Sequence, residues 1–274
     1  MTYCRPHEFY HSMNISTLTV AGGHSRLFKS ISTNIFNMQL GELITHSIIN
    51  TNQFKWSGGQ LHGYSGTGSE LIVQHTGSLE QSNDVTLDGL NIINNGELLY
   101  HGADIVFNNA AQLTNFNHMS IQSNSNFYAG NSDSGTIVNY GTLDINSPTL
   151  HIPLINHGII NIQPHHTLTV DQYVQSSANA ALYNNGNIIK STGQLSIRSG
   201  TLYMNGKLQC NLDMNGRLVV NSTSKIDGDV IFSNDAILDS NDATLNANTV
   251  YLAGQAHLDG KFDAVVATQL YNVC

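Results

Sequence analysis

A right-handed parallel β-helix, or β-solenoid, is the fold class this sequence predicts, and three observations predict it. An Asn-x-Gly turn recurs along the chain, a run with every second residue apolar follows each turn, and the early turns return at nearly constant spacing. The turns are Asn94-Asn95-Gly96, Asn139-Tyr140-Gly141, Asn156-His157-Gly158 and Asn184-Asn185-Gly186. A shorter Gly-x-Leu form occurs at Gly41, Gly59, Gly77, Gly193, Gly200 and Gly216. Leu143 with Ile145, and Leu195 with Ile197, show the period of two expected of a strand buried on one face. Gly41, Gly59, Gly77 and Gly96 are separated by 18, 18 and 19 residues, and Gly141 and Gly158 by 17. One solenoid coil of a few short strands needs a period of this order. Later the spacing loosens to 28 residues between Gly158 and Gly186, then shortens to two intervals of seven. A β-sandwich also shows short strands at regular intervals and is the competing architecture.

The chain divides into residues 1–40, an N-terminal cap or preceding segment, and residues 41–274, the β-solenoid repeats. Residues 26–40 suit a helix face about as well as a strand, since Leu27, Phe28, Ile31, Ile35 and Phe36 fit both periods. Asn at the turns has a physical rationale. It tolerates the left-handed backbone region, and stacking places its amide beside the amide one coil away, so inward Asn residues are expected to form ladders.

Charged residues make up only 11% of the 274, against 33 Asn and 24 Gly, so uncharged polar groups provide the solubility. A net charge of −9 with ten Lys plus Arg excludes a nucleic-acid partner, because neutralising a phosphate backbone needs a basic stripe. No stretch approaches the ~20 apolar residues of a membrane span. Cys4, Cys210 and Cys274 are too few and too scattered for a disulfide framework or a zinc site. Cys210, between Leu208 and Leu212, is expected to face inward with them. Residues 1–20 contain no continuous apolar signal region. The sequons Asn14-Ile15-Ser16 and Asn221-Ser222-Thr223 nevertheless point to a secretory route. The expectation is an extracellular or cell-surface chain that forms part of a larger protein.

The stretch Val138-Asn139-Tyr140-Gly141-Thr142-Leu143-Asp144-Ile145, continued by Pro153-Leu154-Ile155-Asn156-His157-Gly158-Ile159-Ile160-Asn161-Ile162, resembles the repeats of large surface β-helix proteins. These include haemagglutinin-like and autotransporter-like adhesins, and the similarity covers approximately residues 90–260. The resemblance implies an exported right-handed β-helix serving in adhesion or as a stalk. It carries over no catalytic residue.

Pectin-degrading β-helix enzymes would need a carboxylic acid and a carboxylate flanking the scissile bond. Asn156-His157-Gly158 is the nearest approach to their His loop, with no adjacent Asp pair and no Arg-x-Lys element. A lyase would draw its cations from Arg5, Arg26, Arg198 and Arg217. His165-His166, and His151 with His157, offer imidazoles to zinc, but Gln163-Pro164-His165-His166 reads better as a polar turn. Asp84, Asp88, Asp104, Asp133, Asp227, Asp229, Asp239 and Asp242 lie near turns without the spacing of a calcium loop. Gly63-Tyr64-Ser65-Gly66-Thr67-Gly68 lacks the helix and Lys-Ser or Lys-Thr pair of a phosphate loop.

Trp56, Tyr64, Tyr100, Phe127, Tyr128 and Tyr140 are candidates for stacking on sugars, each weighed against an interior role. No catalytic, cofactor-binding or metal residue is assigned. The functional expectation is a non-catalytic adhesive, polymer-binding or stalk module, with polysaccharide or cell-surface glycan as partner. A polysaccharide hydrolase or lyase and an ice-binding solenoid stand as alternatives, the last resting on Thr17-Leu18-Thr19 and Thr167-Leu168-Thr169 alone.

Overall fold

In the computed structural model the chain is a parallel β-solenoid of about 12 turns. Residues 7–271 are described, except 65–67, 81–82, 123, 132–134, 222–223, 234 and 254–255. Side chains of 191–192, 241–242 and 258–271 are also left aside. Every pairing whose register is known is parallel, which excludes the antiparallel pairing of a sandwich. Two compact units, residues 1–141 and 142–274, divide the chain.

In the first unit each coil contributes a strand to each of three faces. On the first face His7 pairs with Ser25, Ser25 with Leu43 and Leu43 with Leu61. On the second, Ile31 pairs with Ile49, Ile49 with Leu71 and Leu71 with Ile92. On the third, Leu18 pairs with Phe36 and Phe36 with Phe54. Alternation delivers the inward residues of all three faces to one core, where Ile31, Phe36, Leu71, Tyr100 and Phe107 are fully buried. Residues 26–40, open to both readings in the sequence, are strand: they lie in Met13–Leu27 and Ile31–Thr45, with a short break between.

In the second unit the column Leu143, Ile160, Leu182, Leu202, Leu218 is one wall of the core. Leu168, Ile188, Leu208 and Ile226 form another, and Leu195, Leu212 and Val230 a third.

Two details correct the sequence reading. The repeated Asn residues do not use the left-handed region; among the described residues with positive φ are Asn109, Ala110, Ser147 and His165, and none of the repeat Asn. Gly41, Gly59, Gly193 and Gly200 of the shorter Gly-x-Leu form do take positive φ, whereas Gly96 and Gly141 of the Asn-x-Gly turns answer to close approach. A Cβ on Gly96 would lie 2.1 Å from the His75 carbonyl oxygen, and one on Gly141 2.0 Å from that of Asn117. No side chain fits where the corners of successive coils stack this tightly.

The second correction is Cys210, which is half-buried and not fully inward. Leu208 belongs to one face and Leu212 to the next, and the register shifts between Ile189 and Gln194 in the neighbouring strand. Alternation therefore breaks at the corner where Cys210 sits. Burial still pushes its thiol up to about 11.

Candidate binding groove

The inward Asn residues form the expected ladder. Thr33, Thr51, Val73, Asn94, Asn115 and Asn139 occupy one register column at the end of the second face of the first unit. Asn94 Nδ2 donates to Asn115 Oδ1, and Asn115 Nδ2 to Asn139 Oδ1, both at 2.8 Å. All of these side chains except Val73 also donate to the carbonyl two residues ahead: Thr33 to Ile35 (2.9 Å), Thr51 to Gln53 (2.8 Å), Asn94 to Gly96 (3.1 Å), Asn115 to Asn117 (3.3 Å) and Asn139 to Gly141 (3.1 Å). Such a hook tightens the chain locally. The residue it spans is then turned outward at the corner.

Those spanned residues are Asn34, Asn52, Asn95, Phe116 and Tyr140, and Gln74 holds the equivalent position after Val73 without a hook. Asn52 Nδ2 donates to Asn34 Oδ1 (3.1 Å), Gln74 Nε2 to Asn50 Oδ1 (3.1 Å) and Asn95 Nδ2 to Gln74 Oε1 (3.3 Å). Phe116 and Tyr140 stack with centroids 5.0 Å apart and planes 8° apart. The corner is a ridge of amides continued by two rings.

Beside the ridge runs the outward surface of the second face. Asn14, Ser32, Asn50, Ile72, Ile93, Thr114 and Val138 form one column across it. Glu70, Asn91 and Gln112 form a second. Two open cavities lie on this face. One, of about 340 Å³, is lined by Ile15 and by amide and hydroxyl side chains including Asn14, Ser32, Asn34, Asn50, Asn52 and Gln74. The other, of about 240 Å³, is lined by Glu70, Ile93, Gln112, Phe116 and Tyr140 among others. The lining of the first carries no ionisable side chain.

Three of the six candidate aromatics fill the interior. Trp56, Tyr100 and Phe127 are fully buried; the Trp56 indole donates to the Gly58 carbonyl (3.1 Å), and the Tyr100 hydroxyl to that of Ala103. Burial raises the Tyr100 pKa. Tyr64, Tyr128 and Tyr140 are outward. Tyr64 ends a stack of rings one coil apart, Tyr10 on Phe28 at 4.7 Å, Phe28 on His46 at 4.7 Å and His46 on Tyr64 at 4.2 Å. Phe28 and His46 are stacked on both sides, which occupies the ring faces a sugar would use.

Several ionisable groups are engaged with one another. Glu42 contacts His24 at 2.5 Å and His62 at 3.3 Å, and His62 contacts Asp88 at 2.9 Å. Asp88 in turn accepts from Asn109 at 2.5 Å. Asp104 accepts from the Asn126 backbone at 2.6 Å.

In the second unit Lys207 and Lys225 lie 2.8 and 2.6 Å from Asp227, and their hydrogen bonds hold its carboxyl below the usual range. Arg217 meets Asp239 at 2.5 Å. Gln163-Pro164-His165-His166 is a turn, as expected, with His166 against Ser147 at 3.2 Å. His151 pairs with Asp171 (3.0 Å) and His157 with Ser176 (3.3 Å), so these two imidazoles have separate partners. Among the described residues no three or more His, Cys, Asp or Glu are grouped to hold a metal, and no helix is long and apolar enough to cross a membrane. Asp133, residues 65–67 of the Gly63–Gly68 segment, Cys4, Cys274 and Ser222-Thr223 of the second sequon lie outside the described residues.

The groove went unnoticed in the sequence. Its one available signal was the amide or aromatic residue just after each inward Thr or Asn. The class these features define is the parallel β-solenoid. Compared with known protein families, with characterised proteins and with solved structures, the chain finds no significant match.

Proposed function

We propose that this chain is a non-catalytic, extracellular or cell-surface β-solenoid that works by presenting a repetitive outer face, as an adhesive, polymer-binding or stalk module. The observation that supports this reading best is the amide ridge of the first unit. Asn34, Asn52, Gln74 and Asn95 repeat once per coil and are held by inter-coil hydrogen bonds. A row of like groups at constant rise suits a repeating polymer better than a compact metabolite. The resemblance of residues 90–260 to surface β-helix repeats supports export.

The test is retention on insoluble polysaccharides and on intact cells, with analysis of the supernatant for reducing ends and unsaturated uronates. Retention without product is expected, and deletion of one coil should weaken it gradually, because weak sites spread along a face act through avidity. Saturable product release abolished by one Asp or Glu substitution would replace this reading with that of a polysaccharide hydrolase or lyase.

A further inference from the structure

We propose that the groove on the second face of the first unit binds a single extended, uncharged polysaccharide chain lying along the solenoid axis. This rests on the polymer-binding reading above and names its site and ligand class.

Charge selects the class. The first cavity is lined by amides, hydroxyls and one Ile, with no ionisable side chain. The chain as a whole carries a net charge of −9. A uronate or sulfated polymer would find no cation here and would meet a repulsive field. An uncharged glycan needs only groups that both donate and accept, because each of its hydroxyls does both.

An amide supplies two N–H donors and a carbonyl with two lone pairs. The Asn52 to Asn34 bond uses one donor of the first and one lone pair of the second. Capacity for further hydrogen bonds therefore remains on each rung.

Periodicity sets the direction. Successive coils rise ~4.8 Å, about the advance of one pyranose ring in an extended chain, so consecutive sugars meet equivalent amides. Toward the second cavity the groove changes character. Ile93, Phe116 and Tyr140 offer apolar surface to ring C–H groups, beside Gln112 and Glu70 as hydrogen-bonding partners. The inner hooks beneath Asn34, Asn52 and Asn95, and the bonds of Gln74 to Asn50 and Asn95, fix the ridge before any ligand arrives, which lowers the entropy lost on binding.

Other extended ligands fit less well. A peptide strand is normally captured through backbone hydrogen bonds at a free sheet edge. This face is the interior of a sheet whose backbone groups pair between coils. An ice-binding surface needs rows of Thr, and the column here reads Asn, Ser, Asn, Ile, Ile, Thr, Val.

The experiment titrates the full chain with cellohexaose, xylohexaose and mannohexaose, and with a polygalacturonate oligomer as the anionic arm. Calorimetry gives the affinity, and side-chain amide resonances locate the contact. At least one neutral hexasaccharide should bind and shift the amide signals of Asn34, Asn52 and Gln74. The double variant Asn52→Leu, Gln74→Leu should weaken that binding at least tenfold with an unchanged circular dichroism spectrum. Tyr183→Ala, in the second unit, should leave it unaltered. If the double variant misfolds, the resonance shifts of the unmodified protein decide the site.

Tighter binding of polygalacturonate would overturn the ligand class. Neutral-glycan binding that leaves these three amides unshifted, or survives the double variant, would overturn the site and leave the polymer-binding reading standing. Failure of every oligosaccharide, together with no retention on any whole polysaccharide, would overturn both.

Discussion

Replacing Asn115 by Ala removes the middle rung of the inner ladder. The side chain is fully buried, accepts from Asn94, donates to Asn139, and reaches the Asn117 carbonyl at 3.3 Å. Three hydrogen bonds at a net value of roughly 1 kcal/mol each give a local loss of about 3 kcal/mol. Coils of a solenoid contact mainly their neighbours, so the loss should stay near the substitution. Hydrogen exchange read by mass spectrometry resolves this better than a global melt, which need not be two-state in a repeat protein. Since ~1.4 kcal/mol is tenfold, amides in peptides spanning 91–121 should exchange about a hundredfold faster. Peptides spanning 187–214 should be unchanged. Acceleration below about fivefold would refute the idea that the ladder holds the coils in register.

Two further outcomes follow from burial. Cys210 should react with a maleimide at pH 7.5 at least tenfold more slowly than a free thiol and speed up on unfolding, because its pKa is raised to about 11 and the thiolate is the nucleophile; labelling at the free-thiol rate would contradict this. The buried Tyr100 and Tyr173 have pKa values raised by desolvation. Their contribution to stability is fully present below the unfolded value of ~10 and is lost as pH rises through the folded values. Urea midpoints should therefore fall above pH 10 in the unmodified protein, and less steeply with Tyr100 and Tyr173 both changed to Phe.

Legibility in the sequence followed the period of the chain. Alternation placed Leu143, Ile145, Leu195 and Ile197 inward correctly, because within a face a side chain's direction depends only on parity. The ladder was foreseeable because Asn recurs beside Gly. Corners were harder, as Cys210 shows, since parity is lost wherever the chain turns. Pairings between coils were harder still. Asn205 reaches Asn221 over 16 residues, His24 reaches Glu42 over 18, and His62 reaches Asp88 over 26. Coil length changes with the residues inserted at corners, so no fixed offset reveals these partners. The groove depends on several such registers together, and that is why only three-dimensional stacking exposes it.

The amide ladders have a polarity. Inside, each donor points toward the later coil: Asn94 to Asn115, Asn115 to Asn139 and, in the second unit, Asn156 to Gln175. Outside, amide pairs run the other way, with Asn52 donating back to Asn34, Gln74 to Asn50, Asn131 to Asn109 and Asn205 to Asn185. An amide within a row cannot rotate end for end without setting oxygen against oxygen on one side and hydrogen against hydrogen on the other. Hydrogen bonds arranged head to tail also polarise one another. The inner row is held in one orientation by its bonds to the carbonyls two residues ahead, so its members are ordered as a group, and the inner and outer rows carry opposed dipoles along the axis.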